Sequence, residues 1–185
     1  RKHRTVITGV VAGFILLIWA MVVLWIASIS GMGDVGKVII SDSYSNFAWA
    51  FTYSGTLITD TGKICNVKLD DDQQSEFRNA SEAGLDEFSD FLLDNATCRE
   101  AVGDNDLARM QMLVNQIHER KLVEPEGGIY VQTFDGGTTC INAWNYADDE
   151  SYSIKCSGDL VGENPSDDAQ ELIQLARKYM IKLDT

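Results

Sequence analysis

Residues 128–156 read GIYVQTFDGGTTCINAWNYADDESYSIKC and contain three short runs that are rich in β-branched and aromatic side chains. The runs cover residues 128–134, 139–144 and 152–156. A Gly-containing turn at residues 135–137 follows the first run, and an acidic loop follows the second. This pattern predicts an antiparallel meander of three strands.

The segment before this meander predicts a hairpin and a helix. Residues 56–59 and 63–69 are typical of strands, and the Asp-Thr-Gly triplet between them supplies the turn. Apolar residues from Ile40 to Phe51 recur at helical spacing and predict a helix, and residues 47–53 fit a strand equally well.

Three further helices are predicted from apolar residues at three- and four-residue steps. Residues 73–93 form one amphipathic pattern with an acidic outer face, and residues 106–121 form a second. The last helix begins near Pro165, because Asn164 is a typical cap and Asp167 suits the first turn. The resulting order, αββααβββα without a repeating βαβ unit, predicts an α+β domain with an antiparallel β-meander and flanking helices.

The composition is that of a globular protein with one compact domain. The chain has 185 residues, of which 45% are apolar and 23% are charged. The 15 Lys and Arg residues are outnumbered by 28 Asp and Glu residues, which gives a net charge of −13 at pH 7. Because so acidic a protein has little basic surface for a phosphate backbone, we expect no nucleic-acid partner.

A long apolar run lies near the amino terminus. Residues 5–33 include no charged side chain, and these 29 residues exceed the roughly 20 helical residues that cross a bilayer core. A secretory signal peptide is the competing interpretation, but its apolar region spans only about 7–15 residues. We therefore expect a retained, single transmembrane helix over residues 5–30.

The residues that flank this run predict its orientation in the cell membrane. Residues 1–4 include three basic side chains, and basic residues beside a membrane span stay in the cytoplasm. We therefore expect a cytoplasmic amino terminus, a hinge at residues 31–37 and a periplasmic or extracellular domain over residues 38–185. Glycosylation sequons at Asn79 and Asn95 agree with that location.

The apolar run also contains features of helix–helix contact. Gly9 and Gly13 form a GxxxG pattern that lets a second helix approach closely, and glycine is also common in membrane helices generally. Trp19 falls in mid-span, where an indole packs against a partner helix more readily than it anchors at an interface. Besides the bilayer, we expect other membrane subunits or a second copy as partners, through Gly9, Gly13 and Trp19.

All four cysteines lie beyond the apolar run, and none belongs to a CxxC pair. This spacing argues against a zinc ribbon or a thioredoxin-type site and predicts two disulfides. Three pairings are compatible with the sequence. We favour Cys65–Cys98 with Cys140–Cys156, because each of these closes a local loop.

Few residues of the chain carry catalytic or metal-binding chemistry. His3 lies beside the membrane and His118 on a predicted helix, which leaves little for a His-based triad or a multi-His metal site. Acidic residues at 70–72 and 148–150 offer the oxygen ligands that calcium prefers, but neither fits an EF-hand loop. Solvated acidic turns explain them more simply. We therefore expect no cofactor, no metal and no catalytic constellation.

The triplet of Asp60, Thr61 and Gly62 matches the short motif of aspartic proteases. In those enzymes two carboxylates share a proton, so the triplet would need a second copy or a symmetric dimer. Its surroundings are typical of a hairpin turn. A hydrolase in which Asp60 is the catalytic residue is thus a remote alternative.

The layout of a hydrophobic amino-terminal helix followed by an α+β domain with a late disulfide is similar to that of type IV pilins. These are filament subunits that pack through that helix. The resemblance is confined to layout, since a processed pilin would begin at Phe14, after Gly13, and would carry a glutamate where this chain has Ile18. It implies a filament subunit as the alternative function.

The features of the sequence together predict an interaction or structural protein rather than an enzyme. The apolar run predicts a membrane anchor, and the cysteines predict a disulfide-bonded domain on the outer side. We expect an accessory subunit of a larger membrane protein assembly.

Overall fold

The computed structural model describes residues 35–48, 50–124 and 136–180, with the backbone alone of Glu100. These residues form seven strands, four α-helices and a 3₁₀ helix at Asp71–Gln73. The strands are β1 (Val38–Asn46), β2 (Thr52–Thr59), β3 (Lys63–Leu69), β4 (Ala96–Ala101), β5 (Gly137–Asn145), β6 (Glu150–Gly158) and β7 (Gly162–Glu163). They form one antiparallel sheet in the order β4-β3-β2-β1-β5-β6-β7. The helices are α1 (Gln74–Ala83), α2 (Leu85–Asp94), α3 (Asp104–Val114) and α4 (Asp167–Met180).

One face of the sheet, here called the core face, packs against α3 and α4. Ile40 lies opposite Ile58 on one neighbouring strand and opposite Ala143 on the other, and directly opposed residues share a face. These three side chains are fully buried. They belong to one apolar cluster with side chains from both helices, which include Met110, Leu113, Val114, Leu172, Ile173 and Ala176.

The opposite face, here called the groove face, carries Ser41, Leu57 and Asn142 in register. Helix α2 contacts β3 and β4 on this side, and α1 and α2 bury Phe77 and Leu92. The sheet therefore has helices on both faces, in three layers. This confirms the predicted α+β class with an antiparallel sheet.

Both predicted disulfides are present. Cys65 bonds to Cys98 between β3 and β4, and Cys140 bonds to Cys156 between β5 and β6. In each pair the two cysteines are directly opposed in the register, and both pairs lie on the groove face. The pairing favoured from the sequence is therefore confirmed.

The predicted hairpin at residues 56–69 is confirmed as β2 and β3, and the predicted last helix as α4. The cap of α4 is Ser166, whose Oγ accepts the backbone N–H of Ala169 at 3.3 Å. Asn164, which the sequence suggested as the cap, instead accepts the N–H of Ser166 at 3.0 Å. The helix begins one residue after this Ser cap, so Pro165 lies just outside it.

The helix predicted from Ile40 to Phe51 is wrong, because β1 and part of the connection from β1 to β2 occupy this segment. Ile40 and Tyr44 are four residues apart, which places them on one face of a strand as well as of a helix. Pairing of β1 with a strand on each side decided the outcome, and β5 is distant in the sequence.

The helix predicted over residues 73–93 is two helices, because Gly84 has φ 140° and ψ 173° and ends the first of them. The helix predicted over residues 106–121 ends earlier, at Val114, and it begins at Asp104. Strand β4 was not predicted. Of the predicted meander, the second and third strands are confirmed as β5 and β6, and residues 128–134 lie outside the described ranges.

Among the described helices, none is long and apolar enough to cross a membrane. The apolar run at residues 5–33 lies outside those ranges. The expected domain boundaries therefore stay a prediction. The described residues from Gly36 onward form one compact unit.

Candidate functional site

An open groove of about 230 Å³ lies on the part of the groove face that is formed by β1, β5 and β6. Its polar lining comes from Ser43 and Ser45 of β1, Asn142 of β5, and Ser151 and Ser153 of β6. Helix α2 lies over the other half of the sheet, at β3 and β4. We call this feature the serine groove.

The strand periodicity places the serines on one face. Ser43 and Ser45 are two residues apart on β1, and successive side chains of a strand point to opposite faces. Ser153 lies opposite Asn142, and Ser151 lies opposite Trp144. Three neighbouring strands thus contribute short polar side chains to the same surface.

Aromatic rings form one wall of the groove. Phe77 of α1 is central, with ring centroids 5.1 Å from Phe51, 5.0 Å from Tyr53 and 5.1 Å from Phe88. Phe88 in turn stacks on Trp144 at 5.3 Å. Aromatic pairs at these separations add to the stabilisation from burial.

Phe47 and Tyr53 also belong to this wall. Phe47 is exposed to solvent, and Tyr53 contacts one of the serines. Phe47 is 56% exposed and lies 5.6 Å from the ring of Phe51. Tyr53 is buried, and desolvation raises its pKa to about 12, while a hydrogen bond with Ser43 acts in the opposite direction. The phenol is therefore neutral at physiological pH.

A hydrogen-bond network holds the floor of the groove. The buried Ser41 Oγ accepts the indole N–H of Trp144 at 3.0 Å and the amide Nδ2 of Asn142 at 3.2 Å. Ser153 Oγ donates to Asn142 Oδ1 at 2.8 Å. Both the nitrogen and the oxygen of the Asn142 amide form hydrogen bonds, so the orientation of the amide is fixed. Its partners Ser41 and Ser153 are positioned by the same bonds.

The serine groove is electrically neutral in a strongly acidic protein. None of the described residues that line it is charged, whereas the chain as a whole carries −13. Hydroxyl and amide groups beside aromatic rings are suited to binding an uncharged polar ligand or an uncharged surface. They do not form a nucleophile–base pair.

No protein-family model, curated protein or solved structure matches this chain. The groove and its neighbouring side chains therefore provide the observations that bear on function.

Asp60, the remote catalytic candidate, lies in the β2–β3 turn. Its Oδ1 accepts the backbone N–H of Lys37 at 2.8 Å, and its backbone carbonyl accepts Nε2 of Gln111 at 2.8 Å. The carboxylate thus ties the start of β1 to the turn.

The two acidic segments considered for calcium hold the backbone of neighbouring elements. Asp71 Oδ1 accepts the N–H of Phe51 at 2.6 Å, and Asp149 Oδ1 accepts the N–H of Leu85 at 3.0 Å, at the start of α2. Across the described ranges, no group of three His, Cys, Asp or Glu side chains is arranged to hold a metal ion.

His118 lies at the boundary between the end of α3 and the β5–β6 turn. Its Nδ1 is 2.7 Å from Asp148 Oδ2, which also accepts the Tyr152 hydroxyl at 3.1 Å. The hydrogen bond with His118 is the main cause that lowers the pKa of Asp148, and the bond with Tyr152 adds to it. This cluster connects two loops.

The residues of the serine groove were missed by sequence reasoning, because β1 was interpreted as a helix. The signal was present as serine at every second position of residues 41–45 and again at residues 151–153. Gly9, Gly13 and Trp19, the residues expected to contact partners, lie outside the described ranges.

Proposed function

We propose that the chain is a membrane-anchored, extracytoplasmic binding protein that serves as an accessory subunit of a larger membrane assembly. The observation that carries the proposal is the pair of cross-strand disulfides in the domain that follows an uncharged run of 29 residues. Disulfides form and persist in oxidising compartments. The basic residues before the run favour a cytoplasmic amino terminus, and the domain then lies on the outer side.

The charge of the outer domain supports a role away from the lipid surface. Residues 5–185 carry −16, so anionic headgroups repel the domain and favour its standing off the membrane. Partner subunits then contact the anchor through Gly9, Gly13 and Trp19, where small residues permit close packing. The outer domain is left free to bind through its own surface.

The membrane topology is tested with a pair of introduced thiols in the full chain. Ser157→Cys places a thiol at an exposed position of β6, and His3→Cys places one in the basic flank. A membrane-impermeant maleimide added to sealed cells should label Ser157→Cys alone, and it should label His3→Cys only after permeabilisation. The reverse pattern, or extraction of the protein by alkaline carbonate, contradicts the proposal.

The assembly is tested by gentle detergent extraction of the full chain. The native protein should migrate in a complex larger than the monomer, with identifiable partner subunits. Gly9→Leu with Gly13→Leu should dissociate this complex, whereas Val11→Leu, on another side of the helix, should leave it intact. A protein that is monodisperse and alone after extraction argues against an accessory subunit, and long polymers indicate the filament alternative.

A further inference from the structure

The charge of the serine groove restricts what it can bind. The protein has 28 acidic residues, yet no described residue that lines the groove is charged. A cation has no carboxylate to pair with inside the groove, and an anion is repelled by the acidic surroundings. The occupant that fits this lining is neutral.

The polar groups of the groove require a ligand that both donates and accepts hydrogen bonds. Ser153 gives its proton to Asn142 Oδ1, so its oxygen faces a ligand as an acceptor. Ser45 and Ser151 have no hydrogen-bond partner for their hydroxyls among the described residues, and each can donate and accept. The groove therefore matches a molecule with several hydroxyl groups.

The apolar wall of the groove suits one flat, weakly polar side of such a molecule. Phe47 is 56% exposed at the rim, and contacts with Phe51 and Phe77, at 5.6 and 6.1 Å between centroids, hold its ring in place. The C–H face of a pyranose ring packs on an aromatic ring, while its hydroxyl edge faces polar groups. The groove is shallow but long: its volume is about 230 Å³, and Ser45 and Ser151 pair with Thr138 and Trp144, which are six residues apart on β5. At about 3.3 Å per residue this length suits an extended chain of sugar rings rather than one ring.

We propose that the serine groove binds a neutral carbohydrate chain, with one pyranose ring against Phe47 and Ser45 at one end and a later ring of the same chain on Ser151 and Ser153 at the other. This binding is independent of the membrane anchor and goes beyond the proposed accessory role. A saccharide-binding outer domain brings the membrane assembly to a glycan outside the cell.

The test uses the full chain in nanodiscs, because detergents with sugar headgroups compete for the site. The probes are maltotriose, cellotriose, mannotriose and tri-N-acetylchitotriose, with trigalacturonate as the anionic comparison. Saturation-transfer NMR, which detects millimolar binding, should show contact with at least one neutral trisaccharide and none with trigalacturonate. Signals should be strongest for the C–H protons of one sugar ring.

Matched variants locate the site. Ser45→Val with Ser151→Val removes two free hydroxyls, and Phe47→Ala removes the exposed ring; each change should weaken binding about tenfold or more. Ser54→Val lies on the opposite face of β2 and should bind as the native chain does. Circular dichroism and melting temperature should be unchanged in the serine variants, because valine suits a strand.

Three results overturn the proposal. The first is the absence of binding to every neutral trisaccharide. The second is equal binding of trigalacturonate. The third is saccharide binding that survives both groove variants. Failure of the membrane-topology experiment leaves this test unaffected, since the probes report on the groove alone.

Discussion

The two faces of the sheet are covered in different ways. The core face carries Ile40, Ile58 and Ala143, all fully buried beneath α3 and α4. The groove face is covered by α2 at β3 and β4 but carries an open groove with serines at β1, β5 and β6. Apolar burial stabilises the core face, whereas the exposed polar groups of the other face contribute little to stability and are available for binding.

Removal of a disulfide should give the largest loss in the free energy of unfolding. Both disulfides lie on the groove face. In the chain-entropy account, removing Cys65–Cys98, with a separation of 33 residues, costs about 4 kcal/mol, and removing Cys140–Cys156, with a separation of 16, costs about 3 kcal/mol. Paired Cys→Ala variants measured by urea unfolding give both values. If the second pair costs clearly more than the first, loop closure is not the main cause.

A core-face truncation should be nearly as costly. Leu172→Ala removes a fully buried side chain beneath the sheet and should lower the free energy of unfolding by about 3 kcal/mol. Ser151→Ala, on the exposed part of the groove face, should change it by less than about 0.5 kcal/mol. Equal losses in the two variants would contradict the division between a stabilising face and a binding face.

The buried hydroxyl of Ser41 tests the floor of the groove. Ser41→Ala leaves the buried Trp144 indole N–H without its acceptor and should cost about 2 kcal/mol, and it should change the fluorescence of Trp144. Ser45→Ala, on the same strand and the same face, removes a hydroxyl without a described partner and should cost far less. Thermal melts compare the two. Similar melting temperatures would mean that the network does not hold the floor.

The smallest expected effect concerns pH. The pKa of Asp148 is lowered in the folded protein by hydrogen bonds from His118 and Tyr152. The stabilisation is therefore present above the unfolded-state pKa of about 4 and is lost as the pH falls through the folded-state value. In Asp148→Asn, the free energy of unfolding measured in urea should fall less steeply as the pH decreases through the acid range. His118→Gln should reproduce part of this change. If the pH dependence of the free energy of unfolding is unchanged in both variants, the hydrogen bonds to Asp148 are not its cause.

Much of the fold follows from local patterns. The β2–β3 hairpin, the β5–β6 pair and helix α4 were each predicted from residues within about twenty positions of one another. The disulfide pairing was also predictable, because each bond joins two cysteines that are successive in the sequence. The break at Gly84 could have been anticipated from the glycine, since a φ of 140° is strained for other residues.

Strand β1 could not be assigned in the same way. The spacing of Ile40 and Tyr44 fits one side of a helix and one side of a strand, and propensity alone does not separate the two. The choice depended on pairing with β5, about a hundred residues away along the chain. Because the groove needs β1, the misassigned helix concealed the candidate site.

The amino-acid order alone established an acidic chain with an uncharged run near its start, paired cysteines and an antiparallel α+β domain, because composition and short-range periodicity are local properties. Only the tertiary structure brought Ser41 of β1 next to Asn142, Asn142 next to Ser153, and Phe47 next to Phe77. The register of an antiparallel pair is set by contacts between distant segments and by burial of one face. The serine groove therefore exists in the folded sheet and in no continuous stretch of the sequence.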